Sequence, residues 1–267
     1  MPESSSLLVE RPRDGVLRLT INDPERRNPL SMSLFRALEA AVTAVPAEVR
    51  VVVLTGAGEQ VFASGADLSE LGQGGGEGLG GDFGETMEAA QEAIEACPAP
   101  VVARIQGHCL GAGYQLALAC DLRVAVDTAR VGVPASRFGL LPGPVHHRRM
   151  IQQLGPQVTR LLMLTGRSFS GEDAVGRGLV DLSFPREALD AGVDAICNDI
   201  LSGAPLTVRN SKRMINRLLD LGPGGSEMDQ ATRDELEGLS DEAHNSADVR
   251  EGLTAFFERR KPDFRGH

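Results

Sequence analysis

The chain has 267 residues, 42% of them hydrophobic and 24% charged. That is the composition of an ordinary globular protein, long enough to bury a large core without disulfide or metal staples. It carries 27 basic against 37 acidic residues, a net charge of −10, and an acidic chain without a basic run is a poor partner for nucleic acid or an anionic membrane surface. The four cysteines, Cys97, Cys109, Cys120 and Cys197, form no CxxC pair. This argues against a zinc site or any other metal and for reduced, buried thiols in a cytoplasmic protein. The N-terminus lacks a basic start followed by an apolar stretch, so no signal peptide is expected. The longest apolar run, near residues 109–120, is too short to span a bilayer and is interrupted by Gln115.

Along the chain, Val16 to Ile21 alternates apolar and polar residues like a half-buried strand, and Asn22, Asp23 and Pro24 punctuate it. Apolar residues at helical spacing run from Ser31, a plausible N-cap, to Val45, and Pro46 ends the pattern. Val49 to Leu54 is a β-branched run suited to a strand covered on both faces. A helix is expected from Glu85 to Ala96, a strand over Val101 to Ile105, an apolar helix from near Gly111 and a short strand at Val124 to Val126. Helical patterns then cover 154–165, 171–176, 186–202 and nearly all of 205–257. The expectation is an α/β fold, with a core over 1–203 and a helical region over 204–267. Of the 31 glycines, eight fall among the 13 residues from Gly72 to Gly84, the composition of a mobile surface loop.

The glycine-rich turns exclude some chemistries. Leu54-Thr-Gly-Ala-Gly58 follows a strand, but a third glycine of the dinucleotide fingerprint would fall at Val61. No GKS or GKT, GxSxG or HExxH is present. Two other segments fit together: Val61-Phe-Ala-Ser-Gly-Ala-Asp-Leu68, and Gly107-His-Cys-Leu-Gly-Ala-Gly113 opening an apolar helix. Each places small residues where a backbone must come close to something. Two backbone N–H groups converging from such turns make an oxyanion hole, whereas tight helix–strand packing alone asks for the same small residues.

With Arg27-Asn-Pro-Leu-Ser31, Ala119-Cys-Asp-Leu-Arg-Val-Ala125, Leu164-Thr-Gly-Arg167, Gly178-Leu-Val180 and Phe256-Phe-Glu-Arg-Arg-Lys-Pro-Asp-Phe264, in this order and spacing, the chain resembles the enoyl-CoA hydratase/isomerase (crotonase) superfamily over its whole length. The resemblance implies a crotonase-like spiral of ββα units with an α-helical C-terminal trimerisation region. It also implies homotrimers or dimers of trimers, and acyl-CoA thioester substrates, with CoA part of the substrate and no separate cofactor. It places the oxyanion N–H groups at Ala66 and Ala112, the latter commonly glycine in the family. Around the CoA it implicates Arg27, Ser64, Asp67, Leu68 and Lys261, the last often toward a neighbouring subunit.

The family's hydratases use two glutamates. The resemblance maps these onto Gln115 and Ala135, and a third position, used by some isomerases and dehalogenases, onto Gly143. Gln can orient water but takes no proton at neutral pH, and Ala does neither. His146 stands where a small residue is common and is the candidate base. Glu70, the substrate-carboxylate candidate Arg137 and His108, read as packed against the helix start, complete the neighbourhood. Tyr114 points either toward or away from the pocket. Asp67 and Asp121 read as anchors of backbone N–H groups beside turns. Two functions stay open: an acyl-CoA enzyme with a non-standard acid/base set, and a catalytically silent acyl-CoA binder.

Overall fold

The computed structural model describes residues 6–71, 81–221 and 228–267. Strand β1 (Leu7–Arg13) turns at Gly15, whose φ of 73° suits glycine, into the antiparallel strand β2 (Val16–Ile21). After the two-residue strand β3 (Pro29–Leu30) comes helix α1 (Met32–Thr43), capped by the Ser31 hydroxyl, which accepts from Leu34 N–H. Its apolar residues Leu34, Phe35, Leu38 and Val42 are buried, as their helical spacing requires.

The all-buried run β4 (Val51–Gly56) leads through β5 (Val61–Ala63) and β6 (Gly65–Ala66) to the short helix α2 (Leu68–Leu71). Helix α3 (Asp82–Ala96) lies against α1, with the Phe35 and Phe83 rings edge to face at 5.7 Å. Then follow β7 (Val101–Ile105), β8 (His108–Leu110) and α4 (Ala112–Leu118). Next come β9 (Leu122–Val126), β10 (Arg130–Gly132), a 3-10 turn at Ala135–Phe138 and α5 (Pro144–Thr165). Strand β11 (Ser168–Ser170), α6 (Gly171–Val175), β12 (Leu182–Phe184) and α7 (Leu189–Ser202) complete the α/β part. From Pro205 onward the described elements are helices: α8 (Pro205–Asp220), α9 (Gln230–His244) and α10 (Ala247–Glu258).

The strands build one sheet of order β1-β2-β4-β7-β9-β12, parallel except at β1, and a smaller one of order β11-β10-β8-β5. Each of β4, β7 and β9 in the large sheet is followed by a strand of the small sheet and then by helix, so the ββα unit repeats as expected. Among the described residues β3 pairs with β6 alone, Leu30 opposite Ala66. Helix α8 is fastened to this core by Lys212, whose buried ammonium donates to Ile94 and Ala99 carbonyls and to the Asp121 carboxylate at 2.8 Å.

Three expectations need correction. The helix expected from 154 starts ten residues earlier, at Pro144, and is broken at Gly155 (φ 74°, ψ 163°) before Pro156. The helix expected over 186–202 opens with a separate 3-10 turn at Arg186–Ala188. The glycine-rich stretch is only partly open to description: 72–80 lie outside the described residues, but Gly81 caps α3 and residues 82–84 are helical. All four cysteines are free and buried. Among the described residues no helix is long and apolar enough to cross a membrane.

Candidate active site

The first half of the site is a backbone construction. Arg27 and Asn28 both lie in the left-handed region, at φ 67° and 52°, a strained pair that Asn28 stabilises with its side chain. The buried Asn28 amide donates to Ala57 and Val61 carbonyls and accepts from Asp23 N–H. Gln106 grips the same loop, donating to Gly56 and Val61 carbonyls while Thr55 donates to it. The segment 27–30 is thereby laid alongside 64–67: Ser64 N–H donates to Arg27 O at 3.2 Å and Asp67 N–H to Leu30 O at 2.9 Å. Asp67 then anchors the start of α2, accepting from Ser69 N–H and Oγ and from Arg26 Nη2 at 2.8 Å. These bonds, the Ser69 hydroxyl first, hold its carboxyl below the ordinary carboxylate range.

The second half is the turn into α4. Gly111 has φ 56° and ψ −123°, a conformation open to glycine and strained for any L-residue. Its N–H donates to Gly132 O, and its carbonyl accepts the Gln115 N–H. Ala112, Gly113 and Tyr114 are thus the first helical residues, whose N–H groups have no acceptor one turn back. Gly113 permits the close approach: a Cβ there would stand 2.6 Å from Ala63 O. A Cβ at Gly65 (φ 121°) would lie 4.0 Å from Ala112 N, so the two turns face each other at contact distance.

They open on one cavity of about 450 Å³, lined by both turns, by Phe83 and Met87 of α3, by Val133 to Ala135, and by Phe138, Leu140 and His146. This size suits a small-molecule or cofactor site. Of the residues singled out in the sequence, Ala66, Ala112, Gln115, Ala135, His146, Arg27, Ser64 and Asp67 all line it. Gln115 is buried, and its Oε1 has no hydrogen-bond partner. Buried too is His146, with an unpartnered Nδ1 and with Nε2 3.8 Å from the Glu88 carboxylate. Desolvation pushes this imidazole down to about 4, helped by the positive Arg149, and the distant Glu88 does not offset it. The ring is therefore neutral at pH 7.

Other candidates fall elsewhere. Glu70 accepts the Met32 N–H at 2.8 Å and so caps α1 outside the cavity. Tyr114 is fully buried, points away and donates to Leu179 O. His108, expected to pack against the helix start, is exposed, because only its neighbour Cys109 in the three-residue β8 turns inward. Exposed Arg137 does not line the cavity, nor does exposed Lys261, in the tail beyond α10. Leu68 begins α2 directly after Asp67. Asp121 anchors Val101 N–H at 2.6 Å, as read. One group escaped the sequence reading: Glu88 of α3, whose carboxylate stands 3.8 Å from His146 Nε2. Its place one residue beyond the inward-facing Met87 was the available signal.

A spiral of ββα units whose glycine-bearing turns face one cavity defines the class, and the comparisons agree. The chain belongs to the Enoyl-CoA hydratase/isomerase family, whose model matches residues 11–267. It is 30% identical to the 2,3-dehydroadipyl-CoA hydratase of Escherichia coli, over 98% of this chain and 99% of that one. To human enoyl-CoA hydratase domain-containing protein 2, mitochondrial, it is 35% identical, over 96% of this chain and 87% of the other. An enoyl-CoA hydratase/carnithine racemase structure from Magnetospirillum magneticum superposes with a TM-score of 0.90 at 30% identity, covering 99% and 97% of the two chains.

Proposed function

We propose that this protein binds an acyl-CoA thioester with its carbonyl oxygen between the N–H groups of Ala66 and Ala112. The observation that carries this reading is the meeting of the two turns over one cavity. Asp67 N–H is turned to Leu30 O, and the alternation of an extended chain directs the preceding N–H, of Ala66, to the opposite side. The Ala112 N–H has no acceptor in its own helix. Two fixed donors would stabilise the negative charge that an enolate puts on the thioester oxygen, and in such sites each is worth roughly 3 kcal/mol. Arg27, exposed beside the cavity, offers a donor to a CoA phosphate, with Ser64, Asp67 and Leu68 along the same edge and Lys261 reaching a neighbouring subunit's ligand.

The acid/base set is non-standard. Gln115 and Ala135, the positions where the resemblance puts glutamates, hold no titratable group, and the lining carboxylate, Asp67, is committed to Arg26 and Ser69. This disfavours hydration by two carboxylates and leaves His146 as the base. A conjugate acid near 4 makes that base weak. The same observation favours the second reading, a silent acyl-CoA binder.

Ala112→Pro tests the oxyanion assignment. Proline is well tolerated at the first helical position; it removes the N–H in question and sets its ring Cδ in that place. Steady-state turnover of a panel of enoyl- and 3-hydroxyacyl-CoAs should fall roughly 100-fold with the melting temperature little changed. Undiminished turnover refutes the assignment. Thioester binding without turnover in the wild type, with hydration gained by Gln115→Glu/Ala135→Glu, establishes the silent binder.

A further inference from the structure

A second cavity, of about 740 Å³, lies between the C-terminal end of α3, the first turns of α5 and one face of α8. Helix α5 separates it from the first. Gly143 and His146 line the first cavity, while Val145, Arg148, Arg149 and Gln152 line the second. Polar bridges tie the three helices together around it. The buried Arg149 donates to both Glu95 carboxylate oxygens and to Gln91 Oε1. Asn216 donates to Glu95 O at 2.9 Å, and Gln152 to Leu219 O at 2.7 Å.

The charges around this cavity are unevenly matched. Arg209, Arg213 and Arg217 follow one another at four-residue spacing in α8 and all line it. Like charges at this spacing share a helix face and destabilise it unless an opposite charge offsets them. Helix α9 supplies that charge to the outer two: Glu242 lies 3.3 Å from Arg209, and Glu235 3.1 Å from Arg217. The middle one, Arg213, is exposed and has no ion pair or hydrogen bond among the described residues, and the same holds for Arg148 of α5. Arg148 stands one turn before the bridging Gln152, and Arg213 one turn before the bridging Asn216, so both free guanidinium groups rise from the same tied junction. Glu92 and Asp220, the lining acids not engaged elsewhere, are exposed and pair with neither.

We propose that this cavity binds a dianionic phosphate group, free or carried as a monoester by a small metabolite, between Arg213 and Arg148. A guanidinium stays charged at any working pH and presents a planar fork of donors that matches phosphate oxygens. Two unpaired guanidinium groups together balance a phosphate monoester, which carries about two negative charges at pH 7. The cavity is large enough to take the organic part of a monoester as well. The phosphate is held and no bond to it is made or broken. This site goes beyond the acyl-CoA reading and does not rest on it.

Isothermal titration with ribose 5-phosphate, inorganic phosphate and ribose tests this, on the wild type and on Arg148→Gln, Arg213→Gln and Arg27→Gln. Ribose 5-phosphate should bind the wild type, and ribose should not bind at the same concentrations. Arg148→Gln and Arg213→Gln should each weaken ribose 5-phosphate about 10-fold or more. Inorganic phosphate binding as tightly as the ester supports the free ion as occupant, and tighter binding of the ester supports a phosphorylated metabolite. The inference is overturned if no phosphate binds, if ribose binds as well as its phosphate, or if the affinity survives both substitutions. Loss of binding in Arg27→Gln alone also overturns it, because the phosphate then sits at the first cavity. Both arginines are exposed and unpaired, so their variants should melt like the wild type, and the wild-type contrast of ribose 5-phosphate with ribose decides even where a variant does not fold.

Discussion

At the scale of single residues the site is governed by two kinds of position. At Gly111 a Cβ would meet no heavy atom within 4 Å, so Gly111→Ala carries no clash and only the strain of its φ. Destabilisation of about 1–2 kcal/mol is expected in urea unfolding, with a larger loss of activity, because relaxing the strain re-aims Ala112 N–H. Gly113→Ala is the opposite case. Its Cβ would stand 2.6 Å from the Ala63 carbonyl oxygen, a backbone atom that no side-chain rotation can clear, and the fold itself should be destabilised more strongly.

His146 yields a prediction in pH. Its conjugate acid sits near 4 in the folded chain against 6.5 when exposed. Below 6.5 the unfolded chain binds the proton more readily, so this group's contribution is complete above pH 6.5 and is lost as pH falls toward 4. The loss is on the order of 3 kcal/mol at the lower end. Unfolding free energies measured between pH 4.5 and 7 should show the wild type losing stability relative to His146→Leu as the pH falls. A constant difference would show that the ring does not titrate this way. The groups facing His146 are Glu88 across from α3 and Arg149 and His147 on its own helix.

Much of this was readable in the residues. Small residues at 64–67 and 107–113 announced backbone approach, and eight of the chosen positions line one cavity. Glu88 was not readable, because a helical pattern tells which face turns inward but not which side chain of another helix it will meet. His108 misled because a position beside a functional turn says nothing about which way a three-residue strand faces.

Among the elements, α8 shows how distant parts of the chain are tied. Lys212 reaches Asp121, 91 residues earlier, and two carbonyls at the end of α3 and the start of β7. Burial pushes the Asp121 carboxyl up while the ammonium pulls it back. Lys212→Met strands that carboxylate and should cost about 2 kcal/mol in thermal or urea unfolding, less than for a fully enclosed pair because Asp121 remains partly exposed. Lys212→Met/Asp121→Asn should recover part of it, and no recovery would assign the loss to packing alone. The sequence showed Asp121 as a turn anchor but not its partner, since nothing local links the two. The strands at 29–30, 61–63, 65–66, 108–110 and 130–132 also escaped, being too short for a period of two to register.

For the whole molecule, the described helices beyond Pro205 leave Leu253, Phe256 and Phe257 of α10 well exposed, the two rings edge to face at 5.7 Å. Neighbouring apolar residues left bare on a folded surface mark an association site. The trimer implied by the resemblance predicts that light scattering will give about three times the 28.3 kDa of the chain. Phe256→Glu/Phe257→Glu should shift it to the monomer, and a monomeric wild type would exclude the trimer.

The backbone at Gly111 has one more consequence. Its φ of 56° and ψ of −123° are the mirror image of −56° and 123°, an ordinary extended conformation for an L-residue. What this position rejects is therefore a hand and not a size. Semisynthesis with D-alanine at 111 should keep the turn relaxed where L-alanine distorts it. Glycine stands there because, of the residues a ribosome uses, it alone is achiral.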